Sequence, residues 1–163
     1  MRTRLHWEGE AEAVVPASPA QVWAVLTDVT RVGEWSHECH TAQWDDGTDR
    51  PRVGATFRGS NRTGRNRWTR VCTVTECVPG VRFAYVTSGG VPPDSTAWTF
   101  VLTAEGPGTR IRQAFRILRI SRFMELVIGA LVPAHRDRRA ALQEDLVRQG
   151  QIAARQLRPD VSP

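Results

Sequence analysis

Apolar positions along this chain follow two rhythms, and the change from one to the other sets out the fold. An opening stretch, about Leu5–Val15, alternates as a strand does and stops at Pro16. Next come Val22, Val25, Leu26 and Val29 at i, i+3, i+4 and i+7, one face of a helix. Its start signal is complete. Ser18 suits the N-cap, Pro19 the first helical position, and Gln21 stands where a capping-box partner belongs. The helix is short and ends near the turn-like Asp28–Gly33 stretch, just before Trp35. A short helix and a tryptophan directly after an edge strand predict a lid.

A series of strand-like runs follows. His40–Trp44 leads to the turn signal Asp45-Asp46-Gly47, and Ala55–Arg62 alternates up to Thr63-Gly64-Arg65-Asn66. Arg67–Val78 ends at Pro79-Gly80, Val81–Thr87 at Ser88-Gly89-Gly90, and Ser95–Ala104 at Gly106-Pro107-Gly108; Thr109–Ile117 is the last. Short links between consecutive strands predict an antiparallel meander.

From Ser121 the rhythm is helical again, with Met124, Val127, Ile128 and Leu131 on one side and a break at Val132-Pro133. Ala134–Leu157 predicts a long helix of roughly 36 Å with Leu142, Leu146, Gln149 and Ala153 as a narrow apolar stripe. The fold class is therefore α+β: an antiparallel sheet of about seven strands around a long C-terminal helix, with two short helices after the first strand. One domain over residues 1–158 accounts for the chain, leaving 159–163 as a frayed tail.

Composition changes this outline little. The net charge is +5, and all 22 basic residues are arginine, which reads as the codon bias of a GC-rich, bacterial genome. The arginines spread from Arg2 to Arg158 without a dense block, which argues against nucleic acid as the partner. Cys39, Cys72 and Cys77 are odd in number and lack metal-ligand spacing; with no apolar signal segment, a reduced cytoplasmic setting is expected. The longest apolar stretch, Leu126–Val132, is too short to span a bilayer.

The run Val15-Pro16-Ala17-Ser18-Pro19-Ala20-Gln21-Val22-Trp23, Asp28 and Glu34-Trp35 resembles the START-like helix-grip superfamily, and within it the polyketide cyclase/dehydrase and lipid-transport type group. Val53-Gly54-Ala55, the Val74–Gly80 hairpin, Trp98 and Gly108-Thr109-Arg110 extend the resemblance over most of the chain. It implies a deep, mainly apolar cavity under the C-terminal helix and a small hydrophobic ligand, such as an aromatic polyketide, a lipid or a hormone-like molecule. These matches are structural punctuation, and one fold of this kind hosts many activities.

Strand alternation then supplies the inward residues. They are Phe57, Gly59 and Asn61; Trp68, Arg70, Cys72 and Val74; Phe83, Tyr85 and Thr87; Trp98, Phe100 and Leu102; and Ile111, Gln113, Phe115 and Ile117. Asn61, Arg70, Tyr85 and Gln113 are the informative members. A packed core disfavours unpaired polar groups, whereas a cavity accommodates them. Three of them also have a structural reading: Asn61 as a turn cap, Arg70 turned outward by a bulge, Tyr85 with its hydroxyl at the rim. The expected ligand-binding set is Trp35, Phe57, Asn61, Trp68, Arg70, Tyr85, Trp98, Phe100, Gln113 and Phe115, with Met124, Val127, Ile128 and Leu131 as the opposing jaw. Trp44 is a further pocket candidate, while Trp7 and Trp23 read as structural.

His37 and His40 do not make a metal site, because three or four ligands must converge; no metal or cofactor is expected. His37 suits the cavity mouth as an acid or base, and His135, at the long helix's start, reads as solvated. Two functions stay open. One is a non-catalytic module that carries or senses a small hydrophobic molecule, as a monomer or homodimer. The other is an aromatase/cyclase-like enzyme in which Arg70 stabilises negative charge and Tyr85 or His37 moves protons. A weaker third is an interaction protein using the arginine-bearing tail helix.

Overall fold

The structure, a computed structural model, describes residues 5–45, 47–132, 135 and 137–156. Strand β1 (Glu8–Val15) hands over to α1 (Pro19–Thr27) and a 3-10 helix (Val29–Glu34). Six strands follow: β2 (Cys39–Trp44), β3 (Thr56–Thr63), β4 (Asn66–Val78), β5 (Arg82–Gly89), β6 (Asp94–Glu105) and β7 (Gly108–Arg119). Helices α2 (Arg122–Leu131) and α3 (Arg139–Arg155) end the described chain. The expected tail 159–163 lies outside the described residues, as do the expected helix limits Ala134 and Leu157.

The start of α1 is built as its sequence requires. Ser18 Oγ accepts from the Gln21 amide at 3.3 Å, and Gln21 Oε1 accepts from the Ser18 amide at 2.7 Å. Val22, Val25 and Leu26 are buried. The segment expected to turn after Asp28 is instead the 3-10 helix, capped by Asp28 Oδ1 accepting from the Thr30 amide.

The seven strands form one antiparallel sheet in the order β1-β7-β6-β5-β4-β3-β2. Strands β1 and β2 occupy opposite edges although they follow each other in sequence. The α1 and 3-10 segment therefore spans the whole sheet. Outward-facing arginines of β7 pair across to β1: Arg110 with Glu12 at 2.8 Å, Arg112 with Glu10 at 2.6 Å and Arg116 with Glu8 at 3.4 Å. Much of the arginine content at this edge is thus cross-strand pairing.

Helix α3 packs on β1 and α1 through Leu142, Leu146, Gln149, Gly150 and Ala153. At Gly150 the approach is close enough that an added Cβ would collide with the Val15 side chain. The helix is shorter than its sequence pattern suggests, 17 residues or about 26 Å. It starts at Arg139, beyond Val132-Pro133. His135 consequently lies outside α3 and is largely buried, a correction to its expected solvated position. Ser121 caps α2 by accepting from the Met124 amide at 3.1 Å.

Candidate functional site

The inner face of the sheet divides into rows running across the strands. Phe83, Phe100 and Gln113 are cross-strand neighbours and are all buried. One step along, Val74, Tyr85, Trp98 and Phe115 form the next row, and beyond it lie Phe57, Cys72, Thr87, Thr96 and Ile117. In the first row Phe100 is core, while the buried Phe83 and Gln113 form the base of a cavity. The later rows open onto this cavity of about 670 Å³, closed opposite by Met124, Val127, Ile128 and Leu131 of α2 and by Trp35 and Val32. Burial under α1 and Trp35 and void under α2 thus share one continuous sheet face.

The strand alternation placed the inward residues correctly. Phe57, Asn61, Trp68, Arg70, Tyr85, Trp98, Gln113 and Phe115 line the cavity with Trp35 and the four α2 residues. Phe100 is the exception. It is fully buried in the first row, 6.4 Å from the rings of both Tyr85 and Trp35, and supports the cavity without lining it. Trp44 also stays outside and packs edge-on against Phe57 at 5.2 Å. Trp23 meets Phe83 at 6.0 Å in the core, and the half-exposed Trp7 donates from its indole to Glu125 of α2 at 3.1 Å.

The polar candidates divide by partner. Arg70 faces inward, and its Nη2 meets Asp94 at 2.9 Å, so its charge is matched at the cavity wall. Asn61 donates to the Gly59 carbonyl at 3.4 Å. Gln113 is 3% exposed, and its Oε1 has no partner among the described residues; the same holds for Trp35 Nε1. Tyr85 sits deep in the protein yet keeps open surface, because that surface faces the void. Burial holds its phenol well above the ordinary tyrosine range, reinforced by Cys72, Cys39 and Glu38 nearby. Tyr85 is therefore a hydrogen-bond donor and not a base at neutral pH. Burial likewise pushes the Cys39 thiol up to about 11 and the Cys72 thiol up to about 12, so neither supplies thiolate.

A charged cluster at one end of the cavity was not anticipated. Asp145 of α3, nearly fully buried, accepts from His37 Nδ1 at 2.6 Å, from the His37 amide at 2.9 Å and from Arg148 Nη2 at 2.5 Å. Arg148 Nε also donates to the Trp35 carbonyl at 3.1 Å. Beside this clamp, Glu38 lies 2.9 Å from His135 Nε2 and 3.6 Å from Arg138. The His135 contact is at ion-pair distance but off hydrogen-bond geometry. His37, Glu38, His135, Arg138 and Asp145 all line the cavity. A sequence signal for Asp145 existed: it sits between Leu142, Leu146 and Gln149 on the buried stripe, where a carboxylate needs a partner. His40 is exposed, and no cluster of three or more metal-ligating side chains occurs among the described residues. No described helix is long and apolar enough to cross a membrane.

The sequence model of the family described as polyketide cyclase / dehydrase and lipid transport matches residues 6–146. Among solved structures, TTHA0849 from Thermus thermophilus is 15% identical with a TM-score of 0.72, over 93% of this chain and 99% of that one. The Polyketide_cyc-like protein Cgl2372 from Corynebacterium glutamicum is 24% identical with a TM-score of 0.60, over 96% and 97%. MLL2253 from Mesorhizobium loti is 17% identical with a TM-score of 0.63, over 91% and 97%. At these identities the structural likeness shows the fold, the helix-grip arrangement of sheet and C-terminal helix. None of the curated proteins matches the chain.

Proposed function

This chain belongs to the polyketide cyclase / dehydrase and lipid transport family, and from that premise we propose that its cavity binds a small hydrophobic, lipid- or polyketide-like molecule. The observation that carries this reading is the change of character along one sheet face. Phe100 is fully buried and Phe83 nearly so at the base, while Tyr85, Trp98 and Thr87 on the same strands open onto a space of about 670 Å³. A volume of that size fits a molecule of several fused rings or a medium acyl chain. Trp35, Trp68, Trp98, Phe57 and Phe115 offer flat surfaces, and the Tyr85 phenol offers one donor for orientation. Three free cysteines are in keeping with a reducing, cytoplasmic setting.

The test is a titration of the full chain with anilinonaphthalene and with a saturated medium-chain alcohol, read by probe emission and by quenching of the tryptophans. Saturable binding is expected. Thr87→Phe adds a ring to the void at a strand position that favours aromatics. It should weaken binding by about tenfold or more while leaving folding stability within about 1 kcal/mol. Unchanged affinity in Thr87→Phe would place the ligand elsewhere and end this reading.

A further inference from the structure

Asp145 supplies more than a clamp on the loop that bears Trp35 and His37. Its contact with the His37 amide and the Arg148 contact with the Trp35 carbonyl already fasten that loop to α3. The remaining carboxylate oxygen is directed at the imidazole, 2.6 Å from Nδ1. A carboxylate acceptor there keeps the proton on Nδ1 and leaves the Nε2 lone pair free. Among the described residues Nε2 has no partner, and His37 lines the cavity. His37 also borders a second, smaller pocket of about 290 Å³ walled by His40, Arg62 and Gly64, all exposed, which gives the ring a route for proton exchange with solvent.

We propose that His37 is a general base that removes a proton from a carbon acid held in the cavity, with Asp145 as its positioning residue. The inference rests on the ligand-binding reading, since the carbon acid must first occupy the cavity. The fitting ligand is a flat, hydrophobic molecule with a carbon–hydrogen bond next to a carbonyl. Nε2 takes that proton, the C–H electron pair moves into the adjacent carbonyl, and an enolate forms. The imidazolium produced is balanced by the Asp145 carboxylate. The Tyr85 phenol, lining the same cavity, is a donor suited to an enolate oxygen. Return of the proton to another atom of the same enolate completes an isomerisation with no further reactant.

The groups around the imidazole are Asp145 and Arg148 from α3, Glu38 beside it, Arg138 and His135 at the approach to α3, and His40 of β2 and Arg62 of β3 across the smaller pocket. The Asp145 hydrogen bond raises the His37 pKa most; burial lowers it, Asp145 and Glu38 raise it by their charge, and Arg138 lowers it, with a net upward shift. The base form therefore appears as pH rises through a midpoint above the ordinary histidine value.

A nitrobenzisoxazole serves as probe, because its ring opening needs only a base in an apolar site. Nε2 takes the ring C–H proton, the C–H pair forms a nitrile, the N–O bond breaks and a coloured cyanophenolate leaves. The full chain should turn it over saturably, with a rate that climbs with pH. His37→Gln should lower kcat by about tenfold or more, a larger factor than any change in the displacement of anilinonaphthalene by the probe. Asp145→Asn should shift the midpoint of the pH profile downward, which loss of a merely structural clamp would not do. Turnover untouched by His37→Gln, or binding with no turnover beyond that of free imidazole, overturns the proposal and leaves ligand binding standing. Failure of both compounds to bind overturns the cavity reading and this inference together.

Discussion

Glu38, at the head of β2, and His135, in the link between α2 and α3, meet at 2.9 Å in the cavity wall, where the Trp68 and imidazole rings pack edge-to-face with centres 5.6 Å apart. Burial by itself would push the Glu38 carboxyl up. The His135 contact outweighs it together with the charges of Arg138, His135 and His37, and the pKa is held at about 2, against an ordinary value of 4.5. A carboxyl depressed in the folded state contributes stability above its unfolded pKa, and that stability is lost as pH falls through the folded value. The size here is about 3 kcal/mol. Glu38→Gln should therefore be less stable than the parent by about that amount at pH near 6, with the gap closing between pH of about 4.5 and 2. Urea unfolding of both proteins across this range checks it; a gap that persists at the acid end would mean that the wall does not depend on this charge.

Arg70 and Asp94 set the charge at the other part of the wall. Their contact, 2.9 Å with both side chains largely covered, leaves the cavity without net charge at that point. Asp94→Asn would uncover the guanidinium. Stability should drop by about 1–2 kcal/mol, and affinity for a medium-chain fatty acid should rise several-fold while affinity for the matching alcohol falls or holds. Paired titrations of acid and alcohol read the difference directly.

Gly150 is where the C-terminal helix closes on the sheet. A Cβ there meets Val15, a strand residue 3% exposed and held in the sheet by pairing of β1 with β7. Helix propensity alone would make Gly150→Ala favourable by roughly 1 kcal/mol. Overpacking should reverse the sign and cost about 1–3 kcal/mol net. Gly150→Ala combined with Val15→Ala should recover part of the loss, a coupling that a double-mutant cycle in urea measures.

Strand periodicity was sufficient to place Phe57, Tyr85, Trp98 and Gln113 on one face, because a period of two leaves no freedom once one face is apolar. The capping box of Ser18 and Gln21 was equally legible, being entirely local. Phe100 shows where this stops. It shares a strand and a face with Trp98, and only the packing of Trp35 against it decides which of the two is core and which is wall. His135 and Asp145 depend on longer-range facts still. One required knowing that α3 begins after Asp137 and Arg138, and the other that the loop at His37 folds back against the helix. Both belong to contacts separated by roughly a hundred positions in the chain, where no short-range pattern reaches.

The rows across the sheet have a consequence for what the cavity can discriminate. Successive rows on one face are two residues apart, about 6.6–6.8 Å. Phe83, Tyr85 and Thr87 therefore mark a fixed scale along one wall of the cavity. A guest resting on the Tyr85 row has its far end gauged by the Thr87 row and by α2. Under the proposed ligand binding, this spacing would gauge guest length. Substitution in a single row would recalibrate that gauge by one graduation while the strand pairing that carries the scale stays as it is.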